Sequence, residues 1–220
     1  MKCLKSMLLG AGLLVMATGC SQQPAAESTG AAAPEKNQVI ETIMTRTSVR
    51  SYKATPVSRD TLQILIDAGL QAPSAMNKQD WEVRVVDSQD ILNELSAMML
   101  KTEMGAGMAE RLNGKNAFQN APAVFFVAAE NATEGMSWSA VDAALLCENI
   151  MLAAKSMGLG TVYQAAPAAM INSSDDAKAY LKTKFGFSDN YELQNIILCG
   201  YPEEVPAPKD RDASKGKFVD

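Results

Sequence analysis

Two guanidinium groups and two hydroxyls fall within the five residues Arg46-Thr47-Ser48-Val49-Arg50, with Tyr52 just beyond. Arginine carries a fork of N–H donors that pairs bidentately with phosphate or with planar, oxygen-rich groups. A solvated helix end with surface arginines is the plainer alternative, since Arg is mostly exposed. Three other segments could join this one. Ala72-Pro73-Ser74-Ala75-Met76-Asn77-Lys78-Gln79-Asp80-Trp81 is rich in small and amide residues. Gly158-Leu159-Gly160-Thr161 runs into Val162-Tyr163-Gln164-Ala165-Ala166, and Lys209-Asp210-Arg211 follows Gly200-Tyr201-Pro202. The chain has no histidine, which excludes Ser-His-Asp and Cys-His hydrolases and His-ligated zinc or iron. No catalytic side chain and no metal site is assigned. An enzyme on this sequence must borrow its reactivity, most simply from an organic cofactor.

The elements that would position these groups follow from periodicity and punctuation. Val39 to Arg46 reads as a helix with Val39, Ile40, Ile43 and Met44 on one face. Ser58 to Gln71 reads as another, capped by Ser58 and stopped by Pro73. Trp81 to Val86 is strand-like, and Ser88 to about Lys101 a helix with Ser88 as its cap. Thr102 to Asn120 contains Gly105, Gly107 and Gly114 and has no clear period, so it is expected to be a mobile excursion over a site. Ala123 to Ala128 is a buried strand by length and β-branching. Ser137 to Met157 is a long helix, apolar almost all round, with Asp142, Glu148, Asn149, Lys155 and Ser156 as its polar stripe. Gly158 ends it in a left-handed conformation. Thr161 to Tyr163 is a short strand, Ser174 to Phe185 a helix, and Glu192 to Cys199 the last strong strand. Few strands and long connections favour an α+β fold over a doubly wound sheet.

The N-terminus reads differently from the rest. Lys2 and Lys5 precede an apolar run from Met7 to Val15, then Ala17-Thr18-Gly19-Cys20. That run is too short to span a membrane, which takes about 20 residues, and matches a signal peptide over residues 1–19. Cysteine after small residues resembles the lipobox of bacterial lipoproteins, with Cys20 as the acylated residue. The expectation is a protein of the cell envelope, tied to a bacterial membrane by lipid alone. Residues 20–37 lack large apolar side chains and read as a flexible tether, and residues 38–220 as one domain. Cys147 and Cys199 fall in apolar runs and read as buried small hydrophobes, with a disulfide between them left open. At 47% hydrophobic, 20% charged and net charge −5, the chain lacks the basic footprint of a nucleic-acid binder.

Taken in order, the four segments resemble the nitroreductase family of FMN-dependent oxidoreductases, over essentially the whole domain. The resemblance implies a central, mostly antiparallel sheet flanked by helices, an extended C-terminal tail and a homodimer. It implies that Arg46, Lys209 and Arg211 surround the FMN phosphate, with Thr47 and Ser48 adding hydroxyl donors. Arg50 would lie near the pyrimidine end of the flavin, and Asn77 would bond to the isoalloxazine ring. Pro73, Ser74 and Ala75 match a loop that the family contributes across the dimer interface. Gln164, Ala165 and Ala166 match the segment whose backbone N–H points at flavin N5; the alanines stand where the family often has Gly-Gly or Glu-Gly. Asp80 replaces the proline usual before Trp81, itself read as core. The implied reaction is ping-pong: NAD(P)H reduces the flavin, which reduces an acceptor such as a nitroaromatic or quinone. The export signal raises two alternatives, a tethered flavin-binding electron carrier reduced by a partner protein and a non-catalytic lipoprotein keeping the fold.

Overall fold

Ala123 to Ala129 is apolar on both faces, so the strand it forms has to run through a sheet covered on both sides. In the computed structural model, which describes residues 37–131 and 138–219, four strands make one sheet. These are β1 (Trp81–Val86), β2 (Ala123–Glu130), β3 (Gly160–Gln164) and β4 (Tyr191–Gly200), ordered β1-β2-β4-β3. Every pairing between them is antiparallel. The register shifts between Val127 and Ala128, opposite Asn195 and Leu193. The signal peptide, Cys20 and nearly all of the tether lie outside the described residues. Asn37, the last residue assigned to the tether, instead caps the first helix, its side-chain oxygen accepting from Val39 and Ile40 N–H at 3.0 and 3.2 Å.

Alternation along the central strands separates two cores. Ala123, Phe125, Val127, Ala129, Ile197 and Cys199 face α2 (Arg59–Leu70) and α5 (Ser139–Ser156). Val124, Phe126, Ile196 and Leu198 face α3 (Gln89–Met99), α6 (Ala166–Asn172) and α7 (Asp175–Phe185). Trp81 is buried in the first core, as expected of it. The short α1 (Gln38–Thr45) and α4 (Glu103–Ala109) complete the set.

Several expectations change. Ser88 precedes α3, but its side chain makes no capping bond. The helix is held by its packing, with Leu92 and Leu95 fully buried. The segment from Thr102 to Asn120 is not a structureless excursion. Thr102 caps α4 by accepting from Gly105 N–H at 3.0 Å, and a 3-10 turn spans Glu110–Leu112. Beyond it Ala117 and Phe118 are fully buried, with Ala117 N–H donating to Ser96 Oγ at 2.8 Å. A seven-residue helix holding two glycines is too brief to show a period. Helix α6, missed in sequence, is equally short and starts on Ala-Pro. Asp142 departs from the polar stripe of α5: it is 6% exposed.

Candidate functional site

The Arg46–Tyr52 strip lies along the free edge of β3. Val49 N–H donates to Thr161 O at 2.9 Å, and Ser48 bridges Thr161 in parallel. The strip then crosses to the chain after β4. Tyr52 bridges Pro202, Lys53 N–H donates to Tyr201 O at 2.9 Å, and Glu203 N–H to Ser51 O at 3.0 Å. Tyr52 OH donates to Val49 O at 2.6 Å, and burial pushes the phenol well above its ordinary range. Val49 anchors the strip inward, 3% exposed. A Cβ at Gly160 would lie 2.8 Å from three Val49 side-chain atoms, so only glycine lets strip and strand come this close.

One cavity of about 210 Å³ opens where these pieces meet. Arg46, Thr47, Lys155, Gly160, Thr161 and Pro202 contribute to its walls. The Arg46 guanidinium lies 3.9 Å from Glu148 of α5, too long and too exposed a pair to hold it tightly. Thr161 is 2% exposed. Two cations and two hydroxyls around one cavity fit a phosphate. Lys155 was missed as a site residue: in sequence it is one more polar residue on α5, and only the turn at Gly158 brings the end of that helix to the strip.

At the far end of β3, Gln164 Oε1 is buried with no hydrogen-bond partner. An unsatisfied buried amide oxygen calls for a donor, and a flavin ring carries one on its pyrimidine side. Ala165 and Ala166 follow, exposed, at the start of α6, where backbone N–H groups have no intrahelical acceptor. Ala165 has φ −96°, so alanine enters the helix unstrained here. Arg50 is exposed and donates to Ser48 O at 3.3 Å.

The Pro73–Gln79 loop sits elsewhere. Met76, Asn77 and Gln79 all have positive φ, at 54°, 54° and 56°. A left-handed conformation costs about 1–2 kcal/mol for each such residue. Local bonds compensate: Asn77 N–H donates to Ser74 O at 3.0 Å and Gln79 N–H to Ser74 Oγ at 3.1 Å. From outside, Ala75 N–H donates to Asp142 Oδ2 at 2.9 Å. The loop therefore meets α5 in its first turn and the Arg46 cavity meets it in its last. Asp142 and Lys155, the two points of contact, are separated along the helix by about 20 Å. Within one chain the loop and the cavity are not brought together.

Lys209 and Arg211 do not join Arg46 in this cavity. Both are exposed in the tail, where Arg211 donates to Lys209 O at 3.0 Å. The tail beyond Pro202 is exposed throughout its described length, Phe218 completely so.

Comparison with known proteins bears on this geometry. The nitroreductase family model matches residues 43–201. The NADPH-flavin oxidoreductase of Vibrio harveyi is 31% identical over 80% of this chain and 70% of its own. A nitroreductase with bound FMN from Desulfitobacterium hafniense superimposes with a TM-score of 0.74 at 28% identity, covering 84% of this chain and 99% of its own. Another with bound FMN, from Bacteroides fragilis, gives 0.71 at 25% identity, covering 84% and 100%.

Proposed function

The chain belongs to the nitroreductase family of oxidoreductases, and from that premise we propose that it binds FMN and passes reducing equivalents from NAD(P)H to a small acceptor. The observation that carries this reading is the cavity joining Arg46, Thr47, Lys155 and Thr161 at one end of β3, with an unsatisfied Gln164 at the other. A bound FMN would supply the redox chemistry, hydride transfer between NAD(P)H and a nitroaromatic or quinone in two separate half-reactions.

The chain's own residues bind and orient. Arg46 and Lys155 neutralise the phosphate, and the Thr47, Ser48 and Thr161 hydroxyls donate to it. Arg50 keeps a cation near the pyrimidine side of the ring, which favours the anionic reduced form and raises the reduction potential. Gln164 and the Ala165 and Ala166 N–H groups address the ring edge. No protein acid or base is required, and positioning supplies most of the rate.

Pro73, Ser74, Ala75 and Asn77 complete the site from a second copy. Two features support a homodimer. Val39, Ile40, Ile43 and Met44 of α1 are exposed on a helix with no buried residue, and Val141 and Leu145 of α5 are exposed with them. A cavity of about 330 Å³ lies where α1 meets α5, with Val39, Ile43 and Leu152 in its walls. An apolar surface of this kind marks an interface. Lys209 and Arg211 then reach the phosphate through the tail. Cys20 carries the lipid that holds the domain, by the tether before Asn37, to the cell envelope.

The test is the visible spectrum of the purified protein. A flavin spectrum, bleached anaerobically by NADH or NADPH and restored by a quinone, is expected. Arg46→Ala and Lys209→Ala should each weaken FMN retention by about tenfold or more. A colourless protein that takes up no FMN would overturn the proposal. Bleaching by dithionite but by neither nucleotide would replace NAD(P)H with a protein electron donor.

A further inference from the structure

We propose that Asp142 is a positioning residue for the cofactor, acting through the Pro73–Asn77 loop. The inference rests on the reading that this loop touches FMN. Three of the four residues from Met76 to Gln79 are left-handed without being glycine. Such a turn keeps its shape only where its surroundings over-determine it. The bonds from Ser74 to Asn77 and to Gln79 are internal. They define the shape of the turn but not its place. Ala72 and Trp81 anchor its two ends in the core.

Between those anchors, Asp80 O, next to Trp81, accepts from Glu130 N–H of β2 at 3.2 Å. Within the Pro73–Gln79 turn, Ala75 is the one residue among those described whose backbone bonds to an element distant in sequence. That bond is its N–H to Asp142 Oδ2, at 2.9 Å. Asp142 is 6% exposed in the first turn of α5, where the partial positive charge of the helix end favours a carboxylate. α5 also presents Glu148 to Arg46 and Lys155 to the cavity. One helix of each chain thus borders the phosphate end of its own site and, through Asp142, holds the loop that completes the site of the other copy. Sequence periodicity does not separate Asp142 from the solvated polar residues of α5, which is why its burial matters.

The experiment compares Asp142→Ala, Asp142→Asn and Asn77→Ala in the full chain, with FMN as probe. Affinity is read from quenching of flavin fluorescence on titrating the apoprotein. Loop placement is read without flavin, from the rate at which trypsin cuts after Lys78, which is exposed. Asp142→Ala should raise the FMN Kd about tenfold or more and speed cleavage after Lys78 several-fold, leaving other cuts unchanged. Asp142→Asn keeps an oxygen in reach of the Ala75 N–H and should stay within about threefold of the parent in both. If Asp142→Ala does not fold, Asp142→Ser, too short to make the same bond, takes its place. An unchanged Kd and cut rate in Asp142→Ala, while Asn77→Ala binds FMN weakly, overturns the role of Asp142. Asp142→Asn behaving like Asp142→Ala also overturns it, because charge rather than the bond would then be at work. Unchanged affinity in both Asp142→Ala and Asn77→Ala removes the loop from the cofactor site, and the proposal falls with it.

Discussion

Cys147 and Cys199 are both free thiols inside the first core. Burial pushes both up to about 12, with the nearby Glu148 carboxylate adding to the effect at Cys147. A thiol exposed on unfolding titrates near 8.5. The folded-state value is the higher one, so the stability these thiols confer is complete below about pH 8.5 and is lost as pH rises towards 12. At pH 8 a disulfide reagent such as DTNB should label neither cysteine in the folded protein and both in urea, as peptide mapping would show. Fast labelling of either in the folded state would contradict their burial. Periodicity assigns Asp142 to a solvated stripe, and the tertiary fold turns it inward to a backbone N–H.

At the level of elements, strong periods and strong punctuation were legible. Helices α2 and α7 start where Ser58 and Ser174 cap them, with N–H donors from Thr61 and Ala177. Helix α5 stops where Gly158 takes φ +77°. Seven-residue α4 and α6 were not legible, because two turns of helix carry too few apolar positions to define a face. The contact that matters most for the site is between strip and strand, not within either. Gly160→Ala should therefore act on both stability and cofactor binding. The added methyl meets Val49 at 2.8 Å, and relieving that overlap costs about 1–3 kcal/mol. A thermal scan should show the midpoint falling by a few to about ten °C, with FMN retention falling alongside as Arg46 shifts. An unaltered midpoint would show that the strip yields freely.

For the whole molecule, one chain presents two parts of a site at opposite ends of α5 and leaves its tail unpacked. A second copy resolves both features at once, and so predicts a solution mass. Light scattering on the eluting domain should give twice the chain mass. Ile43→Lys, which places a charge on the exposed face of α1, should shift the population towards single chains and lower FMN retention with it. A single-chain mass in a fully flavin-loaded protein would overturn the shared site.

Local signals in the chain were enough to determine the α+β class, the strand and long-helix positions and the absence of histidine chemistry, and they marked the Arg46–Arg50 segment as a candidate place for an anion. Those properties depend on neighbours in sequence, through periodicity, capping and composition. Which groups share a cavity does not. Lys155 and Thr161 join Arg46 because a helix end, a turn and a strip edge converge there, and Asp142 leaves the solvated stripe because the Pro73–Gln79 loop packs over it. The distance between Arg46 and the Pro73–Asn77 loop is likewise set by the length of α5. Burial and convergence arise between segments far apart in the chain, and only the folded structure could decide them.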